Sequence, residues 1–183
     1  MHDDRYYFNP EKYSEVHNVH RRCRGGGLSL AGVCDRTVCR TDGIEVGDCI
    51  LAQKITLETG SDLKSGDIVV FKNPRPRNGV DILVKRVIAT SGQTVDLKDG
   101  KVYVDGRRLD ESYAMGESKP LDAHLSSAPD SYPYTIPDGC IWVMGDNREN
   151  SADSRYFGPV EEDSVIGIVF ARYFPFDRIG SVS

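Results

Sequence analysis

The sequence predicts a mainly β domain, an antiparallel barrel or sandwich, and two observations lead to this class. From Gly43 onward, short apolar segments alternate with turn signals, a pattern typical of closely connected strands. No segment keeps the apolar period of about 3.6 residues that an amphipathic helix needs. The chain has 183 residues, of which 39% are hydrophobic and 28% charged, enough for one globular domain with a core.

Each strand is predicted from an apolar run bounded by Gly, Pro, Asp or Ser. The predicted strands are 48–57, 68–72, 81–90, 94–98, 101–104, 141–144 and 165–173. Asp99 and Gly100 form the preferred two-residue hairpin turn between the fourth and fifth of them. The prolines of 73–79 predict a loop. Residues 107–135 are polar and predict an irregular insertion between strands.

The first 40 residues differ from the rest. Residues 17–40 are rich in Arg, Gly and Cys and lack a hydrophobic period, so we expect 1–40 to be a poorly ordered leader and 41–183 to be the folded domain. No run in the sequence approaches the roughly 20 apolar residues of a membrane span. His17, His20 and Cys23 are spaced like one face of a helix, but a zinc site would need a fourth ligand.

The charge distribution disfavours one class of partner. The net charge is −5, and residues 41–183 carry 16 basic and 23 acidic side chains. An acidic body repels phosphate backbones, so nucleic acid is not an expected partner.

A dense polar run, 144–158, directly follows the predicted strand 141–144. It contains three acids, two arginines, two asparagines and two serines. Such a run is either a solvated loop or a hydrogen-bonded network that supports a site.

Lys85 is the unusual residue of strand 81–90. Alternate side chains of a strand share a face, so Lys85 lies on the same face as Leu83 and Val87. A lysine in this position commonly extends its amine to water or protects a strand edge. The alternative is a desolvated amine whose pKa falls toward neutrality, which would suit a general base.

Three stretches together resemble the bacterial type I signal peptidases, the leader peptidase family of Ser/Lys dyad endopeptidases, in order and spacing. They are IVVFKNP, ILVKRVIATSGQTVDLKDGKVYVDGRRLDESY and IPDGCIWVMGDNRENSADSRYFGPV, and the resemblance covers roughly 43–175. It implies a β-rich catalytic domain that removes N-terminal signal peptides from exported preproteins, with small residues at the cleavage site and no metal or cofactor. It also implies a place at the cell membrane, with the catalytic domain on the extracytoplasmic side against the membrane surface. We expect the membrane contacts around 37–52.

The resemblance also implies roles for individual residues. Lys85 matches the general base of the family, and Ser151 matches the serine whose hydroxyl orients that lysine. Two ion pairs match those that give structural support: Asp146 with Arg86, and Asp153 with Arg155. Such pairs fix geometry more than they add stability.

At the nucleophile the chain departs from the family. The family pattern Ser-Met-x-Pro-Thr-(x)3-Gly-Asp, counted back from Gly47 and Asp48, places the catalytic serine at position 39, where this chain has Cys39. Thr37 stands where the family often supplies a hydroxyl to the oxyanion, the backbone N–H at position 39 being the other donor.

Three explanations for Cys39 remain open. The thiol could serve as the nucleophile, although a thiol beside an amine tends to form a thiolate–ammonium pair. The chain could be an inactive homologue that binds preproteins or surface subunits as an assembly factor. The text of 17–40 could come from a misread frame or misassigned start, the true protein having an anchor helix and Ser-Met at 39–40.

A self-cleaving repressor of the SOS type shares the dyad, but its helix-turn-helix and Ala-Gly cleavage site are not visible.

Overall fold

The structure, a computed structural model, describes most of the chain from residue 63 onward and separate parts before it. The described residues are 17–19, 30–34, 44, 48–53, 63–77, 80–121, 129 and 131–182. Within them the strands are β1 His17–Val19, β2 Leu30–Cys34, β3 Cys49–Gln53, β4 Ile68–Arg77, β5 Val80–Ala89, β6 Thr94–Lys98, β7 Lys101–Val104, β8 Arg107–Arg108, β9 Tyr134–Thr135, β10 Cys140–Met144, β11 Val160–Glu161, β12 Val165–Phe174 and β13 Gly180–Ser181. The described residues also include one short α-helix, α1, at Ser154–Phe157, and two 3-10 turns at Glu162–Ser164 and Phe176–Arg178.

The strands form two antiparallel sheets. The large sheet has the order β1-β2-β3-β12-β4-β5-β10-β11, with β13 beside β12, and the small sheet has the order β8-β7-β6-β9. All the strand pairs found are antiparallel. The mainly β class predicted from the sequence is therefore confirmed.

The core lies on both faces of the large sheet and between the two sheets. Leu83 and Val87 of β5 belong to one buried cluster with Phe157 of α1, whereas Val84 belongs to a second cluster on the opposite face. A third cluster surrounds Trp142 of β10 and joins β5 and β10 to the small sheet. This alternation along β5 follows from the two-residue period of a strand, and it places the side chain of Lys85 on the Leu83 face.

The hairpin of β6 and β7 has the predicted bounds. Asp99 and Gly100 both have positive φ angles, 51° and 72°, as a type I′ turn requires.

The loop predicted over 73–79 is wrong in its first five residues, because β4 continues to Arg77. Beyond Phe71, β4 no longer pairs with β12, and its pairing with β5 is irregular between Lys72 and Arg77. Pro74 and Pro76 therefore fall where the missing N–H interrupts no regular ladder, the kind of place where a strand tolerates proline.

The predicted insertion 107–135 is described at residues 107–121, 129 and 131–135. It contains β8 and β9, and its segment 111–118 lies against the polar run that follows β10, with a parallel bridge between Met115 and Asn147. Residues 54–62, which include the end of the first predicted strand, lie outside the described residues.

Candidate active site

The site lies where β4, β5 and β10 run side by side. Lys85 of β5 stands opposite Val69 of β4, and its neighbour Arg86 stands opposite Met144, the last residue of β10. The polar run therefore leaves the sheet next to the lysine. Lys85 is only 1% exposed, so its amine does not extend to water as the amine of a strand lysine commonly does.

Gly145 is the point at which the polar run meets the lysine. A Cβ atom added to Gly145 would stand 2.2 Å from Ser151 Oγ and 3.6 Å from Lys85 Nζ. The hydroxyl and the amine thus share the space above the Gly145 backbone. Ser151 Oγ is buried and has no hydrogen-bond partner among the described residues. Its orienting role toward Lys85 is compatible with this placement and stays a prediction.

Arg86 and Asp146 form a buried, two-pronged ion pair. Arg86 Nε donates to Asp146 Oδ1 and Nη2 donates to Oδ2, both at 3.1 Å. The third guanidinium nitrogen, Nη1, donates to the Gly66 carbonyl at 2.9 Å, and the Tyr113 ring lies 4.1 Å from Cζ. Arg86 directly follows Lys85 on β5, so the pair holds the strand to the start of the polar run next to the lysine.

Asp153 and Arg155 form a second buried pair. Arg155 Nε donates to Asp153 Oδ1 at 2.9 Å and Nη2 to Oδ2 at 2.8 Å. Asp153 also accepts from the Gly145 N–H at 3.0 Å and begins α1 by accepting from the Arg155 N–H at 3.1 Å. Burial alone raises the pKa of Asp153, but the charge of Arg155 and these hydrogen bonds outweigh it, so the pKa lies below its ordinary value.

A third group of polar residues was not predicted from the sequence. Arg148 is 2% exposed, and its Nε donates to the Gly145 carbonyl at 3.1 Å. Its Nη1 donates to Glu111 Oε2 at 3.1 Å and also to Ser118 Oγ, and its Nη2 donates to Glu111 Oε1. Arg148 lies inside the polar run, so it could have been singled out, but Glu111 precedes it by 37 residues and nothing in the spacing indicates this pair.

Other predicted site residues are not placed by the structure. Cys39 and Thr37 lie outside the described residues, as do His20, Cys23 and the side chain of His17. Within the described part of the chain, no group of three or more His, Cys, Asp or Glu side chains could hold a metal ion. Over the same part, no helix has the length and apolar character to cross a membrane.

Comparison with known proteins gives consistent matches. The family model described as signal peptidase, peptidase S26, matches residues 36–174. The probable signal peptidase I-2 of Synechocystis sp. is 35% identical over 144 residues, covering 75% of this chain and 60% of that protein. The signal peptidase I of Bacillus caldolyticus is 36% identical over 140 residues, covering 74% of each chain.

A further relative and a solved structure extend these matches. The signal peptidase IB of Staphylococcus aureus is 36% identical over 141 residues, covering 72% of this chain and 71% of that protein. The crystal structure of a signal peptidase I from Enterococcus faecalis V583 superimposes with a TM-score of 0.48 at 31% identity, covering 59% of this chain and 97% of that one.

Proposed function

The chain belongs to the signal peptidase family, peptidase S26, and on this premise we propose that it is an endopeptidase that removes N-terminal signal peptides from exported preproteins. One observation carries the proposal beyond family membership: a fully buried lysine, Lys85, shares the space above Gly145 with the Ser151 hydroxyl. Burying an amine is unfavourable. A catalytic base needs a shifted pKa, which burial supplies, so catalysis gives a physical reason for this burial.

In the proposed mechanism Lys85 is the general base. As a neutral amine it takes the proton of the nucleophile at position 39, while the Ser151 hydroxyl holds the amine in orientation. A pKa lowered by about three units costs about 4 kcal/mol, so the scaffold around the amine must be stiff. The pairs Arg86–Asp146 and Asp153–Arg155 supply that stiffness from both sides of Gly145.

We assign the nucleophile to Cys39 and an oxyanion contact to Thr37, both of which directly precede the catalytic domain that we propose for residues 41–183. The proposed substrates are preproteins with small residues at the cleavage site, as in Ala-x-Ala. The mechanism uses no metal or cofactor.

We further propose that the protein works on the extracytoplasmic surface of the cell membrane. Of the six large hydrophobic side chains that the described residues expose, five fall in the segment 170–179: Phe170, Tyr173, Phe174, Phe176 and Ile179. We call this segment the C-terminal apolar segment. In contrast, the described part of the region 37–52, where the sequence placed the membrane contacts, is buried apart from the half-buried Leu51. Residues 37–43 and 45–47 lie outside the described residues, so the contact expected around 37–52 stays a prediction, and we propose the C-terminal apolar segment as a further membrane contact.

A signal-peptide cleavage assay tests the activity. We expect the parent chain or its Cys39→Ser variant to cut a signal-peptide substrate after the small residue. Lys85→Ala, introduced into the active form, should lower kcat/KM by about a thousandfold or more, which is the scale of losing a catalytic base. Equal activity with and without Lys85 would refute the dyad.

The alternative is a catalytically inactive homologue that binds preproteins or surface subunits. The observation that favours it is Cys39 in place of the family's serine. This alternative predicts that the parent chain binds a signal-peptide substrate without cutting it, and that Cys39→Ser does not restore cleavage.

A further inference from the structure

Glu111 and Arg148 form a buried pair that the proposed mechanism does not use. The side chain of Arg148 is 0% exposed and that of Glu111 is 7% exposed, whereas ion pairs on protein surfaces are mostly solvated. Arg148 lies three residues before Ser151 in the polar run, and Glu111 belongs to the insertion. The pair therefore connects the two segments from inside.

The contacts of Arg148 lead directly to the lysine site. One side of its guanidinium is held by the Glu111 carboxylate and by Ser118 Oγ, and Nε on the other side donates to the Gly145 carbonyl. Gly145 is the residue above which Lys85 Nζ and Ser151 Oγ meet.

The backbone of the insertion supports the same arrangement. The Met115 N–H donates to the Asp146 carbonyl at 2.7 Å, and the Arg148 N–H donates to the Met115 carbonyl at 2.8 Å. These two bonds place 111–118 beside 145–148, so the carboxylate of Glu111 is presented to the guanidinium by a segment that is itself fixed.

We propose that Glu111 is a positioning residue, which through Arg148 holds the Gly145 carbonyl in place and so maintains the space shared by the Lys85 amine and the Ser151 hydroxyl. The inference rests on the proposed function, because it gives Glu111 its role through the base. Without the carboxylate, the Arg148 guanidinium is a buried charge lacking its partner. It then turns toward water, withdraws its bond from Gly145 and admits water to the amine.

The test measures Lys85 directly by an NMR titration of the lysine side-chain resonances, assigned with a Lys85→Met variant. In the parent chain we expect Lys85 to titrate well below the ordinary lysine pKa of about 10.4. In Glu111→Gln we expect that value to rise by at least one unit, so that the neutral fraction of the amine near pH 7 falls about tenfold. Cleavage is measured in the parent or in the Cys39→Ser background, depending on which of them is active. We expect Glu111→Gln to lower kcat by the same factor and to change KM by less than about twofold.

Two variants separate positioning from general stability. Glu117→Gln makes the same change in the same segment, but Glu117 is exposed and pairs with exposed Lys119, so we expect the Lys85 titration to stay as in the parent. The double variant Glu111→Gln/Arg148→Met removes the buried charge together with its partner, so its melting temperature should recover. Its Lys85 titration should stay raised, since Arg148 no longer donates to the Gly145 carbonyl.

The outcomes distinguish the inference from the function on which it rests. The positioning role alone would be overturned if the Lys85 pKa is low in the parent and stays equally low in Glu111→Gln. It would also be overturned if the double variant returns the Lys85 pKa to the parent value. An ordinary lysine titration in the parent chain would overturn the proposed function and the positioning role with it.

Discussion

Gly145 is the residue on which the geometry of the site depends most directly. Its backbone is not in the left-handed region, so turn geometry does not demand a glycine there. The demand comes from space: Ser151 Oγ and Cβ lie 2.2 and 2.7 Å from the position of a Cβ atom, well inside van der Waals contact. A side chain at 145 and the observed side chain of Ser151 are mutually exclusive.

We therefore expect Gly145→Ala to displace Ser151 and to impair both stability and catalysis. Overpacking of this kind costs about 1–3 kcal/mol, and we expect kcat/KM to fall more than tenfold because the lysine loses its orienting hydroxyl. Urea unfolding and peptide cleavage measure the two effects. Gly180→Ala is the matched control, since a Cβ there meets nothing within 4 Å. Parent-like cleavage by Gly145→Ala would contradict the role of Ser151.

We expect the buried Lys85 side chain to lower the stability of the fold. Replacing a buried charged or titratable group by an apolar side chain of similar length is often neutral or stabilising. Lys85→Met should therefore unfold at the same or higher urea concentration as the parent while cleavage is abolished. A large loss of stability in Lys85→Met would instead indicate that the lysine is part of the structural network, and would weaken its assignment as the base.

At the scale of elements, Asp153 joins β10, the polar run and α1. It caps the helix, accepts from Gly145 and pairs with Arg155, while Ser154 Oγ accepts from the Val143 N–H of β10 at 2.9 Å. A four-residue helix cannot be stable alone, so its place is determined by these contacts.

This arrangement makes a prediction about acid stability. The pKa of Asp153 in the folded chain lies below the ordinary value of 3.8, so the carboxylate stabilises the fold above that pH. Its contribution is lost as the pH falls below 3.8 toward the lower pKa of the folded state. We expect Asp153→Asn to be about 3–5 kcal/mol less stable at pH 7, as for a broken buried pair. The free energy of unfolding of this variant should fall less steeply than that of the parent below pH 4, as followed by urea unfolding at stepped pH.

Asp105→Asn is the control for this titration. The pKa of Asp105 is also lowered, first by the Thr94 N–H, but the carboxyl is exposed, and the positive φ of Asp105, 51°, suits asparagine. We expect almost no loss at pH 7. If Asp153→Asn behaved like Asp105→Asn, the second ion pair would not support the site.

The elements that the sequence predicts well are those whose cause is local. The bounds of β6 and β7 follow from Asp99 and Gly100, because a two-residue I′ turn determines its own register. The extension of β4 through two prolines was missed because it depends on where β12 stops pairing, which is a tertiary fact. The contact of 111–118 with the polar run was missed for the same reason, since its partners lie on a distant segment.

The candidate site shows the same division. Lys85 is conspicuous in the sequence because a cation interrupts an apolar strand face. The resemblance to signal peptidases supplied Ser151 and the two ion pairs Arg86–Asp146 and Asp153–Arg155. Physical reasoning from spacing alone could not bring Lys85 and Ser151 together, because their approach depends on the register of β5 with β10 and on the missing side chain of Gly145.

At the scale of the whole molecule, the C-terminal apolar segment is anchored to the large sheet. Asp48, only 1% exposed, accepts from Arg172 at 3.4 Å and from Arg178 at 3.2 Å, and Arg172 Nε donates to the Arg178 carbonyl. Phe174 stands opposite Cys49 at the start of β3. The exposed aromatic side chains are therefore presented from a structured base, as a surface for contact with lipid requires.

We expect this segment to bind vesicles. Phe176 is 79% and Ile179 is 59% exposed, and inserting both would gain about 3 kcal/mol, given roughly 1.5–3 kcal/mol for full burial of one such side chain. Phe176→Ser/Ile179→Ser should therefore reduce partitioning onto phospholipid vesicles by about a hundredfold in sedimentation, without changing the melting temperature, because neither side chain belongs to the buried clusters. Met115→Ser, which removes the one exposed large hydrophobic side chain outside the segment among the described residues, should bind as the parent does. Equal vesicle binding by all three proteins would remove this segment as the membrane contact while leaving the peptidase site untouched.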